Sequence, residues 1–148
     1  MERRDFLLGA TTLGLVACTP AGPGAVTIVA QGAAGMNPGP DGVDRPLTVQ
    51  IVQMRSAGAF DGADFFALQD PATALGAEFI KADQIALTAG AKQSRTIGLD
   101  AGTTVIGVIA GFRDPGGKRF RAKSPVSATD SVTFSLVISG SGVALSPA

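Results

Sequence analysis

The stretch TTVIGVIAGFR, Thr103 to Arg113, limits the fold more than any other part of the chain. Val105 and Ile109 share one face, and Ile106, Val108 and Phe112 share the other. A strand that is apolar on both faces needs cover on both, which places it centrally in a layered β structure. Elsewhere the runs alternate with period two. LTVQIVQM (Leu47–Met54) puts Leu47, Val49 and Ile51 on one face. SVTFSLVISG (Ser131–Gly140) turns Val132, Phe134, Leu136 and Ile138 inward. VTIVA from Val26, QIALT from Gln84, SRTIGL from Ser94 and GVALS from Gly142 read as further strands, with AGAKQ as a turn between the second and third of these. Twenty glycines and nine prolines, against 5% aromatics, supply turns between strands.

One segment differs in character. AFDGADFFALQDPATALGAEFI, Ala59 to Ile80, has room for short helical turns. Asp70-Pro71 has the form of a helix cap followed by a first-turn proline. Phe60, Phe65, Phe66, Leu68, Leu75 and Phe79 are expected to cover one edge of the core. Together these runs predict an all-β fold. It is an antiparallel two-sheet sandwich of about seven or eight strands, with short helical insertions after the second strand.

Composition narrows the chemistry. The chain has no His, Tyr or Trp and one cysteine, so no Ser-His or Cys-His pair can form. An imidazole metal site is excluded on the same ground. GFRDPGGKR lacks the first glycine and the final Ser or Thr of a phosphate loop. A net charge of zero gives no field to attract nucleic acid. No enzyme activity, cofactor or metal is expected.

The amino terminus reads as an export signal. Arg3 and Arg4 precede a charge-free run of twelve residues, Phe6 to Ala17. That is short of the roughly 20 residues that span a bilayer, and Gly9, Thr11, Thr12 and Gly14 make a poor helix. The pattern is that of a cleaved leader, and RRDFLL is similar to the twin-arginine motif. Leu15-Val16-Ala17-Cys18 resembles a lipobox, in which the chain is cut before the cysteine and the thiol acylated. Residues 1–17 are therefore expected to be a signal peptide, 18–25 a lipidated tether, and 26–148 the sandwich domain. A lasting membrane anchor needs more than one acyl chain, each buried CH₂ contributing roughly 0.8 kcal/mol. Thr19 stands where such lipoproteins carry Asp for inner-membrane retention, which favours the outer membrane.

Three stretches carry a family resemblance: NPGPDGVDRPLTVQIVQM, AFDGADFFALQDPATALGAEFI and IGVIAGFRD. In combination they resemble the TssJ family, outer-membrane lipoproteins of the bacterial type VI secretion system, over roughly Val26 to Ile138. Members often carry Trp-Arg after the Phe-Arg-Asp segment, where this chain has Phe120-Arg121. Phe can fill the same hole but lacks the indole donor. The resemblance implies a transthyretin-like sandwich that holds the secretion apparatus to the outer membrane. The implied partner is the periplasmic part of a TssM-like inner-membrane protein. The implied contact is the loop after the first strand, here Asn37 to Pro46, with Asn37, Pro38, Asp41, Gly42 and Arg45 as its contact residues.

The loop's prolines restrict its backbone before binding, and Arg45 is a residue type common at interfaces. Asn37, Asp41 and Asp44 could gather oxygens for calcium, but their spacing is not that of a calcium loop. The basic cluster Arg113, Lys118, Arg119, Arg121 and Lys123 suits a solvated hairpin whose charges limit edge pairing. Lipid headgroups or an acidic partner face are the alternatives for it. A second functional reading is a periplasmic lipoprotein that binds a small ligand between its sheets, in a cavity lined by Phe60, Phe65 and Phe66.

Overall fold

The computed structural model describes Gly14 and residues 22–148. The expected signal peptide other than Gly14, together with Cys18 and the first half of the tether, residues 18–21, lies outside the described residues. The described residues form eight strands: β1 (Ala25–Gly32), β2 (Leu47–Met54), β3 (Phe79–Leu87), β4 (Lys92–Gly98), β5 (Val105–Ala110), β6 (Arg121–Pro125), β7 (Ser131–Ser139) and β8 (Gly142–Pro147). They form two sheets, ordered β4-β1-β7-β8 and β3-β2-β5-β6. The expected sandwich is there, antiparallel in every pairing but one. β1 and β7 run parallel, with Val26 opposite Val132 and Ala30 opposite Leu136. Period-two patterning cannot reveal that, because it records which face a residue takes and not the direction of its neighbour.

The core between the sheets holds the residues that alternation selected. Val26, Ile28, Val49, Ile51, Phe134, Leu136 and Ile138 are all nearly inaccessible to solvent. Each such side chain contributes about 1.5–3 kcal/mol by leaving water. β5 is central, as its two apolar faces require. Ile106, Val108 and Ala110 face the first sheet, while Val105 and Ile109 face the opposite way.

That opposite face carries its own cover. Helices α1 (Gly58–Gly62) and α2 (Pro71–Leu75), with a 3-10 turn at Ala67–Gln69, lie over the outer face of the second sheet. Phe60, Leu68 and Leu75 pack there on Val52, Met54 and Ile109. The insertion therefore caps a sheet face and does not close an edge of the central core. Its aromatics divide: Phe60 is 1% exposed, Phe66 is 78% exposed, and Phe65 stands edge-on to both Phe66 and Phe120 at 5.4 Å. Asp70 precedes Pro71 at the start of α2, and its carboxylate accepts the Thr73 hydroxyl at 2.7 Å.

Gly107 makes the close packing possible. A Cβ at this position would lie 2.8 Å from both Met54 Cε and the Phe60 ring. A strand glycine under an approaching aromatic is the usual device for such contact. Two buried glutamines fasten the layers. Gln50 Nε2 donates to Leu68 and Gln69 carbonyls, tying the insertion to β2. Gln53 crosses to the other sheet. Its Nε2 donates to the Gly98 carbonyl at 2.9 Å, while its Oε1 accepts from Asp100 N–H and the Thr103 hydroxyl.

β6 corrects the reading of the basic cluster as one solvated hairpin. Arg121 and Lys123 belong to a strand paired with β5. The Arg121 guanidinium donates to the carbonyls of Phe60, Asp61 and Ala63, the last turn of α1. It also lies 5.1 Å from the centre of the Phe120 ring. Lys123 pairs with Asp61. Both cations secure the helical cover, and Phe120 packs against both apolar clusters where the family resemblance expects Trp.

Candidate functional site

The β1–β2 loop leaves the sandwich at the end opposite the one where the chain comes in. At the incoming end, Ala25 N–H bonds the Asp130 carbonyl and Leu99 N–H bonds the Gly24 carbonyl. β1 then runs eight residues, about 26 Å at the usual strand rise, before the loop begins.

Within the loop the candidate residues fall into two groups. Asn37 is 3% exposed. Its Nδ2 donates to the Arg45 and Pro46 carbonyls, and its Oδ1 accepts Arg113 N–H at 2.9 Å. Asn37 thus welds the loop to the chain beyond β5 and offers no surface of its own. Pro38, Asp41, Gly42 and Arg45 are exposed. Pro38 bridges Asp44, and Gly39 N–H bonds the Val43 carbonyl at 2.8 Å, so the segment is a miniature hairpin. Gly42, with φ +77°, closes its tip by donating to the Gly39 carbonyl. Asp41 accepts Val43 N–H and pairs with Arg45 at 3.0 Å. An exposed pair of this kind contributes little stability; its role is to fix the direction of the Arg45 side chain.

Sequence reasoning missed two contributors. Asp44 accepts Gly35 N–H and Asn37 N–H with its two oxygens, so it braces the loop from within. Val43, at the tip, is 56% exposed. An apolar residue amid turn formers was the available signal for it. The oxygens of Asn37, Asp41 and Asp44 point to separate partners and do not converge on a cation. Among the described residues no cluster of three or more Cys, Asp or Glu is arranged to hold a metal ion. No described helix is long and apolar enough to cross a membrane. The ligand pocket expected of the second reading does not assemble from its named residues, since Phe60 of α1 is buried against Val52, Met54 and Ile109 while Phe66 faces solvent.

Two four-stranded sheets around one core, with the braced β1–β2 hairpin at one end, define a β-sandwich domain. The chain belongs to the type VI secretion lipoprotein family (VasD, EvfM, TssJ), whose model matches residues 25–140. No curated protein matches its sequence. Among solved structures it is similar to the type VI secretion lipoprotein TssJ1 from Pseudomonas aeruginosa, with TM-score 0.78 and 23% identity over 86% of this chain and 98% of that one. It is also similar to Serratia marcescens Lip, a membrane-bound component of the type VI secretion system, with TM-score 0.76 and 24% identity over 84% and 98% of the two chains. A third similar chain comes from a structure described as the TssM C-terminal domain (869–1107) from EAEC, with TM-score 0.70 and 21% identity over 84% and 98%. These likenesses establish the shared fold.

Proposed function

We propose that this chain is held at the outer membrane by lipid on Cys18 and anchors the type VI secretion membrane complex there. It does so by binding the periplasmic part of a TssM-like inner-membrane protein through the β1–β2 loop. The carrying observation is the loop's geometry. Pro38, Asp41, Gly42 and Arg45 stand exposed on a hairpin braced by Asn37 and Asp44, at the end remote from the tether. A loop ordered before contact loses little entropy on docking. Family membership supports the reading, as do similar chains in structures described as the TssM C-terminal domain and the type VI membrane complex. No catalytic step is part of it.

The test replaces Pro38 to Arg45 with a Gly-Ser loop and leaves the buried Asn37 in place. Pull-down by the periplasmic domain of the TssM-like protein is expected to be lost, while circular dichroism still reports the sandwich. Undiminished capture would move the contact surface elsewhere.

A further inference from the structure

Five cations cluster in the sequence after β5, and the structure divides them. Arg121 and Lys123 are engaged with α1. Arg113, Lys118 and Arg119 lie on the β5–β6 loop, and among the described residues none has a carboxylate within 4.0 Å. The carboxylates of this loop and of the β1–β2 hairpin have other partners. Asp114 accepts Gly116 N–H, Asp44 accepts two loop N–H groups, and Asp41 pairs with Arg45.

This loop is also fixed. Arg113 N–H is held by Asn37, which joins it to the β1–β2 hairpin. Arg119 N–H bonds the Ser141 carbonyl, and Val143 N–H bonds the Arg119 carbonyl, which pins the far side to the β7–β8 turn. Gly142, at φ +125°, permits the second attachment, because a Cβ there would collide with the Arg119 backbone. Lys118 extends over the Phe112 ring at 4.9 Å. Three positive charges without an ion-pair partner, against the single carboxylate of Asp114, are therefore carried on a braced frame beside the exposed hairpin. Carboxylates at the other end, Asp100 and Asp130, lie next to the incoming chain.

We infer that Arg113, Lys118 and Arg119 form a second half of the docking surface, fitted to an acidic face of the partner protein. The inference rests on the docking reading above and specifies the chemistry of the partner. Two observations favour a protein over lipid headgroups. The cations share one frame with the hairpin, and the tether comes in at the opposite end of β1. Charges of this sort act mainly on the association rate and are weakened by salt.

The experiment measures binding of the full-length acylated protein, in detergent, to the periplasmic domain of the TssM-like protein at low and high ionic strength. The triple variant Arg113→Glu, Lys118→Glu, Arg119→Glu is compared with wild type. A second triple variant to Gln serves if charge reversal impairs folding, which thermal melting checks. At low salt the Glu variant is expected to associate about tenfold or more slowly, with a smaller difference at high salt and little change in dissociation. If wild type binds and the variant matches its rate and salt dependence, this inference falls while the docking reading stands. If wild type does not bind, both fall. Unchanged partner binding together with lost binding to phosphatidylglycerol vesicles would reassign the cations to lipid.

Discussion

Single side chains decide how tightly the layers of this domain are joined. Gln53, itself buried, accepts two donors and makes one donation across the sandwich, and its bond with the Thr103 hydroxyl is fully buried. Gln53→Leu would fit the volume but orphan Asp100 N–H and the Thr103 hydroxyl. An orphaned buried group costs about 1–3 kcal/mol, so urea denaturation should show a loss of that order or somewhat more. Gly107→Ala tests packing without polarity. The new methyl would meet the Phe60 ring and Met54 Cε, and overpacking of this kind costs about 1–3 kcal/mol. Its melting temperature should fall, whereas Phe66→Ser, at an exposed position, should leave it nearly unchanged. Neither glutamine was legible as a fastener. A polar residue in a strand reads as solvent-facing, and only the position of a second sheet or a helix makes it a bridge. The loop residues were legible as turn formers, but not as framework and surface. Asn37 belongs to the framework because Arg113, far along the sequence, lies over it.

At the level of elements, strands with strong alternation were readable nearly to the residue, and β2 has the bounds its pattern implies. β3 starts at Phe79, ahead of the QIALT run, because its first half is a mixed, half-exposed edge. β6 was invisible. Arg-Ala-Lys-Ser-Pro has no apolar period, and it is a strand because β5 has an edge to satisfy and because Arg121 grips α1. A test at this scale is Arg121→Met, which keeps much of the stem while removing the donors to three carbonyls of the α1 turn. Limited proteolysis is expected to cut faster between Ala57 and Phe66, with the sandwich strands still protected in hydrogen exchange. An unchanged cleavage rate would mean that Phe60 alone holds the cover in place.

The whole molecule is a polar object in the geometric sense: the chain enters the sandwich at one end and the β1–β2 and β5–β6 loops stand at the other. If the anchor is lipid on Cys18, Cys18→Ser should move the protein from the membrane pellet to the soluble fraction in a carbonate wash. Full retention in the pellet would remove the lipid from the proposal. The sandwich class was readable from the chain because core alternation is local. The order of strands was not, since it depends on partners far apart in sequence.

That order has a consequence for synthesis. β1 lies between β4 and β7, so the earliest strand to leave the ribosome reaches its last neighbour only when Ser139 has been added. Such distant pairing delays folding, and the nascent polypeptide must travel most of its length with an apolar ribbon unprotected. A chain that stops before Ser131 leaves β1 with β4 alone and no β7 or β8 beside it, so premature termination should yield aggregates or degradation products in place of a smaller stable domain.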